Sequence, residues 1–278
     1  MKNKIKTFII LLMCLNTNLS IFSQKLDTPL VPFDKKPTKD NLGFLLGFGQ
    51  NVQGGKYLVE CKECEFRGGV GSNFTIGAYY EQDIETNFYL GLLGTFSIMN
   101  IESKFTEKEK LGFLSKITNN IDSIPIDFLH TGTAKFSYLS LTPFVRWQPV
   151  KMLFVRVGPS ISFVMSNNIT HTQEPVNPIV TLSSGETGRL SPGTGYSSTL
   201  QEGSFPNVVS PQIGLWTDIG LNIPLSKKVT FCPVFNYNLP LTKMSTFGED
   251  FKISTWRILL EIRIRLYEDL PPQLPIKK

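Results

Sequence analysis

The sequence predicts an all-β protein, an eight-stranded antiparallel up-and-down transmembrane β-barrel. Eight runs of roughly ten residues alternate apolar and polar side chains, with the period of two that belongs to a β-strand. The connections between these runs are alternately short and long, which is typical of membrane barrels. Beyond its N-terminal segment the chain has no run near the roughly 18 uninterrupted apolar residues that a membrane helix needs. A place in a membrane therefore requires a barrel.

The last run, 254–266, shows the period most clearly. Trp256 and the apolar residues at every second position after it alternate with Arg257, Glu261 and Arg263. At helical spacing both sets would scatter around the axis, whereas in a strand they separate onto two faces. One face needs an apolar environment and the other carries charge.

Seven earlier runs repeat this pattern, each setting large apolar side chains against mostly Gly, Ser, Thr and Asn. Short connections at 84–87, 149–152 and 226–228 join neighbouring runs into hairpins, and the long connections 53–71, 101–135 and 166–210 are predicted to be loops. In chain order the predicted strands are 42–52, 72–83, 88–100, 136–148, 153–165, 211–225, 229–241 and 254–266.

A soluble eight-stranded barrel or sandwich would alternate in the same way. The polar face of a soluble strand normally carries Lys and Glu, whereas every Lys of this chain lies outside the eight runs. The polar positions suit a crowded lumen, which favours the membrane barrel.

The ends of the chain are predicted to lie outside the barrel. Residues 1–23 are typical of a secretory signal peptide, with a Lys-rich start, a short apolar run and cleavage between Ser23 and Gln24. A lipoprotein anchored at Cys14 is disfavoured because the preceding Met13 is not small. The predicted organisation then continues with a periplasmic lead-in at 24–41, the barrel at 42–267 and a Pro-rich periplasmic tail at 268–278.

The net charge excludes one class of function. The formal charge is +5, and removal of the signal peptide with its three lysines leaves +2, too little to support nucleic-acid binding. The sequence predicts no cofactor, no bound metal and no enzymatic activity.

Charged residues on the polar faces form the candidate site. An eight-stranded barrel is just wide enough for side chains to fill it, so these charges must pair inside the lumen. The predicted ionic network comprises Glu81, Arg146, Arg156, Asp218, Arg257, Glu261, Arg263 and Arg265. A structural ion-pair plug is the favoured interpretation, and an anion-attracting path is the alternative because Arg outnumbers the acids.

Two further pairs of residues could carry chemistry. Cys61 and Cys64 form a CxxC motif, for which a loop disulfide is favoured over a redox pair or half a zinc site in an oxidising compartment. His130 and His171 lie in predicted polar loops, where solvated side chains are expected and catalysis at the rim is the alternative.

The chain resembles the outer-membrane β-barrel family common in Bacteroidota, the PorT-like group. The resemblance covers nearly the whole mature chain and depends on Ser23-Gln24, the opening strand 43–49, the run 88–98 and the final strand 256–266. The alternation of short turns and long loops predicts a place in the Gram-negative outer membrane, with long loops outside and both termini in the periplasm. The chain is expected to be a monomeric barrel in outer-membrane lipid. One branch of the family is implicated in assembling a protein secretion and gliding apparatus, so the resemblance implies envelope or secretion-machinery proteins as partners. The expected function is a structural or interaction component of the envelope that supports protein secretion, and a narrow pore or small-ligand transporter is the alternative.

Overall fold

The computed structural model describes residues 40–58, 65–190 and 197–266. Within these ranges the strands are β1 (Asp40–Leu58), β2 (Glu65–Arg67), β3 (Val70–Glu85), β4 (Phe88–Leu114), β5 (Ile121–Val150), β6 (Leu153–Pro175), β7 (Ile179–Thr181), β8 (Thr187–Arg189), β9 (Ser198–Gly203), β10 (Gln212–Leu221), β11 (Ile223–Pro224), β12 (Val229–Pro240) and β13 (Gly248–Leu266). Among the described residues, none belongs to a helix that is long and apolar enough to cross a membrane.

Eight of the strands pair into an antiparallel ring. The order around the ring is β1, β3, β4, β5, β6, β10, β12 and β13, and β13 pairs back with β1. The pairing of β6 with β10, from Ser162↔Gln212 to Leu153↔Leu221, joins the first five ring strands to the last three. The predicted all-β, eight-stranded antiparallel barrel is therefore confirmed.

The outer surface of the barrel carries exposed apolar side chains, which we call the apolar belt. Phe48 on β1, Leu92 on β4 and Ile219 on β10 are each more than half exposed, whereas Arg156 and Trp216 inside the ring are buried. On β13 the belt comprises Trp256, Ile258, Leu260 and Ile262. This polarity is the reverse of that of a soluble protein, and it suits a barrel surrounded by lipid. The fold is that of a transmembrane barrel.

The two ends of the barrel differ. At one end, which we call the short-turn end, tight turns connect β3 to β4 and β5 to β6, and Asn87 adopts a φ of 71° in the first of them. At the other end β4 and β5 continue beyond the belt as a paired ribbon, from Glu102↔Thr133 to Leu114↔Ile121. We call this the ribbon end.

The predicted loop 53–71 is shorter than expected, since β1 continues to Leu58, β2 follows and β3 begins at Val70. The prediction of long loops at the ribbon end was also wrong for two longer segments, most of 101–135 and part of 166–210. The first of these segments forms the ribbon, and the second contains the end of β6, the β7–β8 hairpin and β9. The ribbon is stabilised by its ladder of hydrogen bonds and by a small apolar cluster of Ile126, Phe128 and Val180, the last of which lies on β7. The apolar residues of the ribbon find their packing partner, Val180, more than 50 residues further along the chain. The ribbon sequence alone therefore did not indicate a strand.

Lysines also lie on strands, contrary to the sequence expectation. Lys104, Lys108 and Lys110 occupy the exposed face of the ribbon part of β4. They lie beyond the apolar belt, so the exclusion of lysine from the belt itself agrees with a lipid-facing surface.

The lead-in predicted at 24–41 ends earlier than expected, because Asp40 and Asn41 already belong to β1 and pair with β13. Residues 24–39 of the lead-in, the signal peptide at 1–23 and the tail at 268–278 lie outside the described residues.

Candidate functional site

The lumen near the short-turn end holds a buried ion-pair network centred on Glu81. The two carboxylate oxygens of Glu81 accept hydrogen bonds from Nε and Nη2 of Arg146, each at 2.8 Å. Arg263 Nε lies 3.2 Å from Glu81 Oε1, and Asn41 Nδ2 donates to the same oxygen at 3.1 Å. Glu81 thus compensates two guanidinium groups from β5 and β13, and the bidentate contact with Arg146 adds directional preference to the charge attraction.

A second centre forms around Arg156. Its guanidinium donates from Nε to Asp218 on β10 and from Nη2 to Glu261 on β13. Asp218 accepts hydrogen bonds from Trp216 Nε1 on its own strand and from Asn236 Nδ2 on β12, each at 2.7 Å. Arg156 therefore links its own strand, β6, to both β10 and β13.

Tyr79 joins the two centres into one network. Its hydroxyl donates to Glu261 Oε2 at 3.1 Å and accepts from Arg263 Nε at 3.2 Å. Gly43 makes room for this ring, because a Cβ on Gly43 would lie 2.1 Å from Tyr79 Cζ. A glycine on β1 thus permits the bridging side chain on β3.

Among the residues that the structure describes, the four buried arginines exceed the three buried acids by one positive charge. Arg257 carries the excess: within the described part of the chain, its Nε and Nη1 have no hydrogen-bond partner. Its guanidinium carbon lies 5.1 Å from the centre of the Trp216 ring, a favourable cation–π position. It also borders a cavity of about 40 Å³ whose lining includes Ser140 and Ser160, which is large enough to hold water.

Aromatic side chains fill the lumen near the ribbon end. Tyr57 stacks on Phe66 with ring centres 5.1 Å apart, and Phe205 stacks on Phe251 at 5.5 Å. Phe136 packs against Phe205 at 5.4 Å, and all five rings belong to one buried cluster. The barrel is therefore filled by an ionic layer toward one end and an aromatic layer toward the other.

Seven of the eight residues predicted for the lumen are buried inside the ring, and six of them take part in the network of ion pairs. The eighth, Arg265, is a correction: it is exposed beside a cavity of about 200 Å³ at the short-turn end. Arg265 is odd-numbered, like the lumen-facing Arg257, Glu261 and Arg263 of β13, but the strand ends one residue later. The side chain therefore lies at the rim of the barrel and not inside it. Cys61 and Cys64 lie outside the described residues.

The expectation of solvated loop histidines was wrong. His130 on β5 and His171 on β6 are 2% and 1% exposed, and His130 Nδ1 lies 2.9 Å from His171 Nε2. The imidazole of His130 also stacks on Phe105, with ring centres 4.6 Å apart. These contacts place the histidine pair at the base of the ribbon, inside the wall formed by β4, β5 and β6.

Burial determines the charge of this pair. Because burial disfavours the imidazolium, it lowers the pKa of His171 to about 4 and shifts the pKa of His130 downward as well. Both rings are therefore neutral at neutral pH. The signal that could have located them is the parity of β5: His130 falls on the even-numbered face that carries Arg146 into the lumen.

The fold is similar to several solved structures. Ail, the attachment invasion locus protein of Yersinia pestis, aligns with 81% of this chain and 99% of its own at 12% identity and a TM-score of 0.32. Neisserial surface protein A aligns with 81% of this chain and 97% of its own at 11% identity and a TM-score of 0.29. The outer membrane protease OmpT from Escherichia coli aligns with 86% of this chain and 100% of its own at 11% identity and a TM-score of 0.31.

Neither protein-family models nor curated protein sequences gave a match to the chain. The PorT-like relationship therefore stays a prediction, and the functional inferences below depend on this chain's own contacts.

Proposed function

We propose that this protein is a non-conducting, non-enzymatic barrel of the Gram-negative outer membrane that holds a β-ribbon on the cell surface as an interaction component of the envelope. In this arrangement the ribbon end is extracellular, and the short-turn end and both termini lie in the periplasm. The observation that carries the proposal is the contrast between a filled lumen and strands that extend far beyond the apolar belt.

The filled lumen supports an anchoring role over a transport role. Arg146, Arg156 and Arg263 are held by carboxylates from several strands, and Trp216 lies among them fully buried. An ion that crossed this layer would have to displace paired charges, which is costly in a low-dielectric interior. Beyond it, the aromatic cluster would have to separate as well.

The ribbon supports the interaction role. The strand of β4 from Glu102 to Leu114 corresponds to roughly 40 Å of extended chain. At its tip, Leu114, Ile117 and Ile121 are 62%, 72% and 74% exposed, although they lie far from the lipid-facing belt. Exposed apolar side chains grouped outside the membrane commonly mark a contact with another protein.

The filled lumen predicts that the reconstituted protein is electrically silent. Purified barrel inserted into a planar lipid bilayer should give no stepwise single-channel currents, whereas a porin inserted by the same protocol should. Reproducible unitary currents from the wild-type protein that change when Arg257 is replaced by alanine would instead support the narrow pore, since Arg257 borders the lumen cavity.

The interaction role predicts cross-links from the ribbon tip. A photo-reactive amino acid at Ile117 should capture a specific envelope protein in living cells, because this side chain projects from the tip. The same group at Lys151, in the turn of the short-turn end, serves as the matched control for captures made from the opposite end.

Recovery of secretion components from the Ile117 position, and not from Lys151, would assign the barrel to protein secretion, as the PorT-like resemblance suggests. Recovery of the barrel alone from both positions would contradict the interaction role.

A further inference from the structure

One nitrogen of the buried histidine pair has no hydrogen-bond partner in the described part of the chain. His130 is 2% exposed, and within the described residues its Nε2 makes no hydrogen bond. Its other nitrogen, Nδ1, lies 2.9 Å from His171 Nε2. A buried polar atom without a partner is costly, so a ligand that binds Nε2 would remove a penalty as well as add a contact.

Two carboxylates converge on this nitrogen. Glu107 and Glu109 lie two residues apart on β4, so their side chains share one face of the strand. Glu107 Oε2 lies 3.9 Å from His130 Nε2, and one ligand atom from each of the three residues lies within 4.8 Å of the others. Gln173 Nε2 donates to Glu109 Oε1 at 3.1 Å and holds that carboxylate in place.

We propose that His130 Nε2 and the carboxylates of Glu107 and Glu109 form a binding site for a divalent transition-metal ion of the zinc class. Zinc ligands of these types lie about 2.0–2.2 Å from the metal, so the 3.9 Å between Glu107 Oε2 and His130 Nε2 is short enough for one ion to contact both. Imidazole favours zinc and related metals over magnesium and calcium, which prefer sites made of oxygen alone.

His171 is the positioning residue of this site. A metal on Nε2 of His130 requires the proton on Nδ1, which then donates to His171 Nε2. Metal-bound histidines generally donate their second N–H in this way, and the contact orients the ring. Phe105, stacked on the His130 ring at 4.6 Å, limits its remaining rotation.

The site is accessible from the solvent, and its carboxylates favour a bound cation. The side chain of Glu107 is 34% exposed, so an ion can arrive from the solvent and keep a water as a further ligand. The two carboxylates that face His130 Nε2 attract a divalent cation by charge. The bound ion would join β4 to β5 at the base of the ribbon, and this inference is independent of the proposed function.

Titration calorimetry with zinc chloride, on full-length protein in detergent with any histidine tag removed, tests the site. We expect one equivalent of zinc to bind wild-type protein. The E107Q/E109Q double variant should bind at least tenfold more weakly. E102Q is the matched control, because Glu102 lies on the opposite face of the same strand, and it should bind zinc as wild type does.

The CxxC motif needs a separate control, because thiolates also bind zinc. The C61S/C64S variant should retain one equivalent, and cobalt(II) bound to it should show no thiolate charge-transfer absorption. H171F should weaken binding about tenfold, the scale of losing an outer contact to a metal-bound histidine. H171Q, which keeps an acceptor, should recover part of it.

Absence of zinc binding by the wild-type protein, or equal binding by wild type and E107Q/E109Q when both show folded, heat-modifiable gel mobility, would overturn the proposal. Loss of binding in C61S/C64S would also overturn it, since the metal would then belong to the cysteines.

Discussion

Replacing Glu81 with alanine should destabilise the folded barrel by roughly 3–5 kcal/mol, the usual cost of removing one partner from a buried ion pair. The effect is large because Glu81 accepts both nitrogens of the Arg146 fork and also faces Arg263. Its removal leaves two guanidinium groups in the lumen without their shared carboxylate. Desolvated charges without partners are far more costly than the pair itself is stabilising.

Urea unfolding of the barrel in lipid vesicles, followed by heat-modifiable gel mobility, measures this effect. E85A is the matched control, because Glu85 is the same residue type on the same strand, β3, but is exposed at the end of that strand. It should shift the free energy of unfolding by no more than about 0.5 kcal/mol, as for most surface substitutions. If E81A and E85A unfolded at the same urea concentration, the network would not stabilise the barrel.

Leu260→Arg should cost roughly 2–4 kcal/mol of folding free energy in a bilayer, the range measured for a cation placed at the midplane on the lipid face of a barrel. Leu260 is exposed on β13, pairs with Leu46 on β1 and lies in the middle of the apolar belt. The substitution would place a guanidinium among acyl chains, where it has neither water nor a carboxylate. Equilibrium folding into vesicles of defined lipid thickness gives the free energy directly.

Ser254→Arg provides the comparison on the same face of the same strand. Ser254 lies six residues earlier, roughly 20 Å along the strand, which places it near the membrane surface after allowance for strand tilt. The same side chain should cost only about 0–1 kcal/mol there. Equal effects of the two substitutions would contradict the assignment of the apolar belt to the lipid core.

The alternation of apolar and polar side chains was sufficient to predict the ring strands of this protein and the two faces of each strand. The period of two located the eight ring strands and separated a lipid face from a lumen face, because in an extended chain the direction of each side chain follows from its position alone. For the same reason parity placed Glu81, Arg156 and Glu261 inside. The crowded lumen of an eight-stranded barrel then required that such charges be paired.

Only the tertiary structure decided which charges meet and where the strands end. Arg156 and Glu261 are 105 residues apart in sequence and become neighbours through ring closure and register. Arg265 has lumen parity but lies at the rim, because parity gives the direction of a side chain and not its depth. The ribbon was missed because its packing partner Val180 comes from a distant hairpin. His130 and His171 were placed in solvent because their segments were predicted to be loops, so the strand parity that directs His130 inward was not applied. That β5 and β6 continue this far depends on their pairing with each other, which brings together residues about 40 positions apart in the sequence.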